Sequence, residues 1–559
     1  MDRFPFSLSL YAIVSRECAS KYIARSLESM LALNPDEIVL CSAMGKDTEE
    51  GFPILQEIGK KFDAKVLKYE NSEECSGWEH LDSFCNARNT ALDACTKDWC
   101  MWFDADDLLI QGAEKAFFEI AKKVTDHDCI YAGYSVPLAG LCPVRERITK
   151  KGEFRWRHPV HEQLKPWKKT SAKAIGTPSP LILHAPIGYK KNSAERNHKI
   201  LDTATSESPL FAYYKADEYF LGGNYTDAIK WARVATSYES LDILMRVQCH
   251  TIIGRCLADP VAKREELFRA HALQPNRIEA IFYIAEDYYN RRHFNEALAL
   301  ARSACTTPKP NVSYWTTKDG IYDWEAPDLY ERCARATGNT ELVSFLQEQK
   351  RKEFGDVDIT LCHATARPDS FHSARWLWLS QAKHPNKIQH ILGVDEDHPK
   401  YAGNEKIITP NGGCIGGWNA CAKQAKGKYI VQLSDDFLPI YGWDDEIRKR
   451  MPDTEKPSVL AVSDGHRTDD LLCIAICTKK TLEFLGGNLF HPEYARCSGI
   501  FSDNEFTLRT KEIQIPAKEL VFHHNNPIWN GSTGDEVFQK HNKQENYILG
   551  EQIFKARNQ

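Results

Sequence analysis

No run of apolar residues in the 559-residue chain approaches the ~18 needed to span a bilayer, so no membrane-spanning helix is expected. Eighteen cysteines are present, yet none forms a CxxC pair or stands at zinc-finger spacing. That excludes a thiolate zinc module and leaves buried, reduced thiols of a cytoplasmic protein as the expectation. A secretory leader is not expected either: residues 4–14 are apolar, but Asp2 precedes them and no small-residue cleavage site follows. The sequons at Asn224, Asn311 and Asn530 then carry no information. An excess of positive charge is also missing, with 71 Lys and Arg against 77 Asp and Glu for a net −6. This argues against a protein that coats nucleic acid generically. Only residues 145–173 run the other way, with ten Lys or Arg against three Glu. Such a stretch is either a solvated face or the neighbour of an anionic ligand.

What is present is ordinary globular material, 42% hydrophobic and 26% charged, in a length that predicts three or four domains. Apolar strands over residues 8–14, 37–41 and 64–69 alternate with helices after Ser15-Arg16-Glu17, over 54–62 and over 84–94. This alternation predicts a parallel sheet with helices on both faces. A fourth strand, through Trp99-Cys100-Met101, ends in Trp102-Phe103-Asp104-Ala105-Asp106-Asp107. Carboxylates at the carboxyl edge of such a sheet stand where ligands bind. Two apart on a continuing strand, Asp104 and Asp106 share a face and suit one hard divalent cation that bridges to substrate phosphates. An isolated pair of this kind more often caps the following helix, so its surroundings decide.

Those surroundings resemble a family. Ser15-Arg16-Glu17, Gly45-Lys46-Asp47-Thr48, Phe84-Cys85-Asn86-Ala87-Arg88-Asn89 and the Asp104 motif, in that order, are similar to the family-two glycosyltransferases of the GT-A fold. Phe154 through the His161-Glu162-Gln163-Leu164 segment, then Leu181-Ile182-Leu183-His184, Gly188-Tyr189 and Arg196-Asn197, resemble a subgroup that carries helical repeats. The resemblance implies Mn²⁺ or Mg²⁺ on Asp104 and Asp106, with His184 as a further ligand. It implies a nucleotide-diphosphate sugar contacted by Arg88, Asn89 and Glu17, and Asp107 positioning the donor sugar. Glu162 is the implied acceptor base, with His161 orienting or replacing it. One departure stands out: residues 39–44 carry no carboxylate where the family reads the nucleobase, which leaves the donor open.

Between residues 201 and 352 a period of about 34 residues sets in. Ala228, Ala262 and Ala297 mark it, as do Ala235, Ala270 and Ala304. This resembles tetratricopeptide repeats, which implies a spacer or a site for a protein partner. Residues 329–346 predict a capping helix pair, and Tyr213, Tyr214, Tyr219 and Phe220 read as core rather than as a ligand stripe.

Strand–helix alternation resumes over 353–559. The strand at 357–362 leads to Arg367, a glycine-rich stretch at 411–419 suits a close backbone approach to a ligand, and the strand at 429–433 ends in Ser434-Asp435-Asp436. This again looks like a GT-A domain, in which Arg367 and Asn419 would contact the donor. Asp435, Asp436 and His524 would hold the metal, and Asp503 or Glu505 would serve as base. The expected architecture is therefore α/β plus all-α: a GT-A domain over 1–200, tetratricopeptide-like repeats over 201–352 and a second GT-A domain over 353–559. The expected activity is transfer of sugars with inversion by direct displacement at two sites. A glycan or protein acceptor leads, nucleic-acid bases follow, and a non-catalytic repeat scaffold with relic domains is the alternative.

Overall fold

Leu8–Val14 is a run of seven buried residues, and burial on both faces suits it to be an interior strand, β1, of an eight-stranded sheet. The computed structural model describes residues 3–110, 112–136, 143–185, 193–203, 208–310, 318–530 and 534–558. Gly188-Tyr189 and Asn311 lie outside the described residues. The remaining strands around β1 are β2 (Glu37–Ser42), β3 (Lys65–Lys68), β4 (Trp99–Trp102), β5 (Asp107–Leu109), β6 (Cys129–Ser135) and β7 (Val144–Lys150). A separate hairpin pairs β8 (Phe154–Arg157) with β9 (Gln163–Pro166), and β10 (Ala174–His184) returns to the sheet. The order is β3-β2-β1-β4-β7-β6-β10-β5. Only β3, β2, β1 and β4 form the expected parallel half. β7 enters antiparallel to both β4 and β6, so the sheet is mixed. The physical reason is the β6–β7 hairpin, which needs no helical crossover.

The chain divides into two compact units, Met1–Ile284 with Thr307–Asp319, and Ala285–Thr306 with Gly320–Gln559. The helices expected over 201–352 divide between them. The first unit holds Pro209–Leu221, Tyr225–Ser237, Ile243–Cys256 and Pro260–Leu273; the second holds Phe294–Thr306, Ala326–Ala336 and Thr340–Phe354. Fully buried Ala228, Ala232 and Ala235, and likewise Ala297, Ala301 and Ala304, let neighbouring helices approach closely. Ala262 instead stands in the first turn of its helix, where its N–H caps onto Asp259 at 2.8 Å.

In the second unit the sheet is built from β11 (Ile359–Ala364), β12 (Ile388–Val394), β13 (Lys406–Ile408) and β14 (Tyr429–Leu433), all parallel. After the short β15 (Phe437–Leu438) come β16 (Val459–Ser463), β17 (Ile476–Thr478) and β18 (Gln514–Val521), with β19 (His523–His524) pairing β15. Its order, β13-β12-β11-β14-β17-β16-β18, repeats that of the first sheet from β3 to β10, including the antiparallel entry of β17. The glycine-rich stretch does not approach a ligand through Gly417. A Cβ on Gly393 would lie 2.5 Å from Gly417 Cα, so these two glycines let the helix Gly413–Gln424 lie against β12. No helix among the described residues is long and apolar enough to cross a membrane, and the cysteines described are free thiols.

Candidate active site

Asp104 and Asp106 do not lie on a continuing strand. β4 stops at Trp102, and a turn closed by the Asp107 N–H to the Asp104 carbonyl, 2.9 Å, carries the chain into β5. This turn points the acidic side chains two ways. Asp107 is fully buried. Its Oδ1 accepts from Tyr134 Oη at 2.8 Å, and its Oδ2 from Arg147 Nη1 at 3.3 Å and from the Asp104 N–H at 3.0 Å. Asp104 and Asp106 instead line a cavity of about 940 Å³, together with Glu17, Arg88, Glu162 and His184.

Arg88 organises its floor. Ser83 caps the helix Phe84–Ala94 by accepting from the Asn86 N–H, and that helix carries Arg88 inward between the rings of Trp102 and Trp156. Its Nη2 donates to Asp104 Oδ1 and its Nε to Glu162 Oε1, both at 2.6 Å, while the buried Nη1 has no hydrogen-bond partner. Burial alone would lower the Arg88 pKa, but Asp104 and Glu162 raise it far above the ordinary value. In turn burial would raise the Asp104 carboxyl, but Arg88 holds it well below the usual range.

His184, paired in register with Asp107, ends β10. Its Nδ1 lies 3.0 Å from Tyr134 Oη, 3.4 Å from Asp107 Oδ1 and 3.6 Å from Asp106 Oδ1. Burial disfavours its charged form, but the three aspartates outweigh that and raise its pKa. Asp104, Asp107 and His184 each offer a ligand atom within 4.8 Å of the other two. Asp107 is the weaker ligand of the acidic three, because Tyr134, Arg147 and a backbone N–H already engage both its oxygens and it does not line the cavity. The donor position expected for Asp107 is therefore replaced by an internal one.

The helix Pro209–Leu221 completes the wall. His161 adopts a left-handed backbone, φ 54°, stacks on Tyr214 and brings Nε2 to 2.7 Å from Glu218 Oε1. A non-glycine residue held there is strained, a condition that collects at functional sites. Burial pushes the His161 pKa down, yet Glu218 raises it above the ordinary value. Asn197 Nδ2 donates to the same Glu218 oxygen at 2.7 Å, and Asp217, whose carboxyl burial pushes up, lines the cavity beside Tyr214. Tyr214 is buried as expected, but it is also part of the site. Asn89 is not: its side-chain amide exchanges two 3.0 Å bonds with the Trp156 backbone and clamps β8.

Most of the basic stretch at 145–173 is consumed by ion pairs. Lys169 reaches Asp128, Lys173 reaches Asp126 and Arg155 reaches Asp93. Arg145 and Lys165 face the cavity. Two cations are fewer than a polynucleotide track needs, so any affinity for single-stranded nucleic acid is expected to change by less than about tenfold between about 50 and 200 mM salt. A steeper slope in a salt titration of nucleic-acid binding would restore the polynucleotide as a ligand.

The second cluster repeats the first at one telling bond. The Asn525 N–H, following His524, donates to the Asp436 carbonyl at 2.8 Å, as the Ala185 N–H, following His184, does to that of Asp106 at 3.0 Å. His524 Nε2 lies 3.2 Å from Asp436 Oδ2. Asp435 is already neutralised: His363 Nε2 lies 2.8 Å from Oδ1, and Thr365 Oγ1 and Arg367 Nη1 donate to Oδ2 at 2.9 and 3.4 Å. Behind His363 lies His390, 3.0 Å away. Arg367 is also tied to Asp535. Asp503 is half-buried in the first turn of the helix Ser502–Arg509, and burial pushes its carboxyl up.

Two expected residues of this cluster are structural. Asn419 is buried and exchanges bonds of 2.7 and 2.9 Å with the Phe490 backbone. Glu505 is buried and accepts from Arg557 Nε and Nη2 at 2.8 and 2.9 Å and from Tyr494 Oη at 2.8 Å, which leaves it no role as a base. Burial would raise the Glu505 pKa, but Arg557 lowers it below 4.5. Its stabilisation is thus present above about pH 4.5 and lost as pH falls through the depressed folded value. Arg557→Gln is expected to remove this depression, so that the thermal midpoint is lower near neutral pH and its fall on acidification is shallower, Glu505 no longer losing stabilisation there. An unchanged acid limb in a melting series would contradict the pair.

No family model and no curated protein matches the chain. Among solved structures, Staphylococcus aureus TarS is similar at 10% identity over 48% of this chain and 53% of its own, with a TM-score of 0.25. Its 1–349 fragment is similar at 12% over 53% and 90%, with 0.26. The TPR2B domain of yeast Sti1 is similar at 17% over 22% and 95%, with 0.19. The chain thus spans about half of the longer TarS structure. Scores this low carry no argument about fold or activity.

Proposed function

We propose that the chain is a metal-dependent glycosyltransferase whose first carboxylate cluster binds a nucleotide-diphosphate sugar. The observation that carries this is Arg88: a buried guanidinium at the floor of a large cavity, bridging two carboxylates and keeping one N–H unpartnered. An unpaired buried donor is costly, and an anionic ligand relieves that cost. The donor set fits a divalent cation: Asp104 and Asp106 offer hard oxygens and His184 an imidazole, which suits Mn²⁺ as well as Mg²⁺. When bound, the cation would neutralise the diphosphate as charge builds on it.

The protein groups divide the remaining work. Arg88 offers a planar fork of donors to the phosphates, and a diphosphate that takes them loosens Arg88 from Glu162. Glu162 is thereby released to accept the acceptor's hydroxyl proton. The hydroxyl oxygen bonds to the anomeric carbon as the bond from that carbon to the phosphate oxygen breaks, and the electron pair departs with the diphosphate. Direct displacement of this kind inverts the anomeric centre. His161, held by Glu218 and Tyr214, orients the loop that carries Glu162. A hydroxyl on a glycan or a protein side chain is the acceptor that this site suits.

A second reading, two transfer sites in one chain, is favoured by the bond that Asp436 shares in kind with Asp106. Turnover of sugar nucleotides in Asp106→Ala tests both readings. Loss of metal-dependent turnover supports the first cluster. A residual activity that disappears in Asp106→Ala/Asp436→Ala supports two sites, and full activity in both variants rules out either. The scaffold alternative predicts no metal-dependent turnover in the wild type.

A further inference from the structure

A second cavity, of about 500 Å³, opens in the second unit at the amino edge of its sheet, beside the starts of β12 and β14. Asp435 and Asp436 follow the carboxyl end of β14, so this cavity stands at the opposite edge from the carboxylate cluster. Its walls carry seven Lys or Arg against four Asp or Glu.

The pairing among them leaves a surplus of one sign. Asp328 is shared by two guanidiniums: Arg332 Nε reaches it at 2.9 Å and Arg375 Nη1 at 3.0 Å. Burial would raise the Asp328 carboxyl, but these arginines hold it well below the usual range. Arg335 takes Glu331 at 2.7 Å, and Arg351 takes Glu348 and lies 3.9 Å from Asp356. Glu405 accepts from Gln389. Lys350, half-buried, and Lys426 and Lys428, exposed, have no ion-pair partner among the described residues. Arg375 is about nine-tenths buried, and its Nε lacks a hydrogen-bond partner. Two nearby histidines register the field. Burial and then the neighbouring arginines push His372 down to about 3, and burial followed by Arg375 pushes His390 well below its ordinary value.

A concave, cation-lined space of this volume matches a small ligand rather than a polymer track. Two exposed lysines and the half-buried Lys350, in one cavity with a buried guanidinium that has an unused donor, match phosphate oxygens. We infer that this cavity binds a small anion carrying two or more phosphate groups, held by Lys350, Lys426 and Lys428 at its walls and by Arg375 at its base. Inorganic diphosphate and a nucleoside diphosphate share that chemistry.

The test is calorimetric titration of the full chain with inorganic diphosphate in EDTA, which removes any divalent cation from the carboxylate clusters. Saturable binding is expected in the wild type and in Asp106→Ala. It is expected to weaken at least tenfold in Lys426→Glu/Lys428→Glu, whose exposed positions leave the fold intact, as an unchanged thermal midpoint would verify. A parallel titration with a nucleoside diphosphate identifies the source: tighter binding that still depends on the two lysines assigns a nucleotide, and equal binding a bare diphosphate. The inference is overturned if the wild type shows no saturable binding in EDTA, or if binding survives the double substitution undiminished. Neither result bears on the metal-dependent reading of the first cavity.

Discussion

Replacing Arg147 with alanine is expected to destabilise the first unit by about 3–5 kcal/mol, the usual consequence of leaving a buried charge without its partner. Arg147 is fully buried, its guanidinium lies 3.8 Å from the Trp102 ring centroid and 4.1 Å from that of Tyr134, and it donates to the equally buried Asp107. The substitution removes the stacking and the countercharge together. Arg147→Lys restores charge but not the planar stack, so partial recovery is expected. Arg147→Met/Asp107→Asn, which removes both charges, is expected to be milder than Arg147→Ala alone. Scanning calorimetry checks this: the transition of the first unit falls while that of the second holds. A double variant as unstable as the single one would show that the ion pair is not the cause.

Arg88→Gln is expected to lower turnover by about 10²–10³-fold, the range for removing a preorganised donor from developing negative charge. It also leaves Asp104 and Glu162 facing each other without the cation between them, so stability falls at low metal concentration. Added Mn²⁺ is expected to recover the thermal midpoint, by neutralising Asp104, without recovering turnover. Steady-state kinetics and melting curves with and without the metal separate the two effects. Turnover within about threefold of the wild type would remove Arg88 from the proposed chemistry.

The strands that set the site were legible because their signal is strong and local. β1 is apolar at every position but Ser9, and the strand ending at Trp102 stops one residue before the acidic ones start. The helix around 84–94 was legible from its place between two strands, and in the structure Ser83 caps it and Cys95 leaves it in an extended conformation. The mixed half of the sheet was not, because nothing in residues 129–150 distinguishes a strand that enters antiparallel from one that enters parallel. The division of labour among the aspartates was equally hidden. Asp106 and Asp107 are neighbours in the chain, and only the turn after Asp104 sends one to the cavity and the other to Arg147. Tyr134, Tyr214 and Glu218 carry no local mark of function, and they join the site through contacts 27 to 57 residues away in sequence from the groups they hold. Asn89, Asn419 and Glu505 misled for the converse reason. Each has a side chain suited to a ligand, and the fold spends it on a backbone or an arginine.

The central claim is that Asp104, Asp106 and His184 hold a divalent cation that serves a sugar-nucleotide site. The most direct measurement is Mn²⁺ titration of the wild type and Asp106→Ala, followed by metal-dependent turnover across a panel of sugar nucleotides. Saturable Mn²⁺ binding is expected in the wild type, weakened at least tenfold in the variant, together with loss of turnover of whichever donor the wild type accepts. Mn²⁺ affinity and turnover that are the same in both proteins would contradict it.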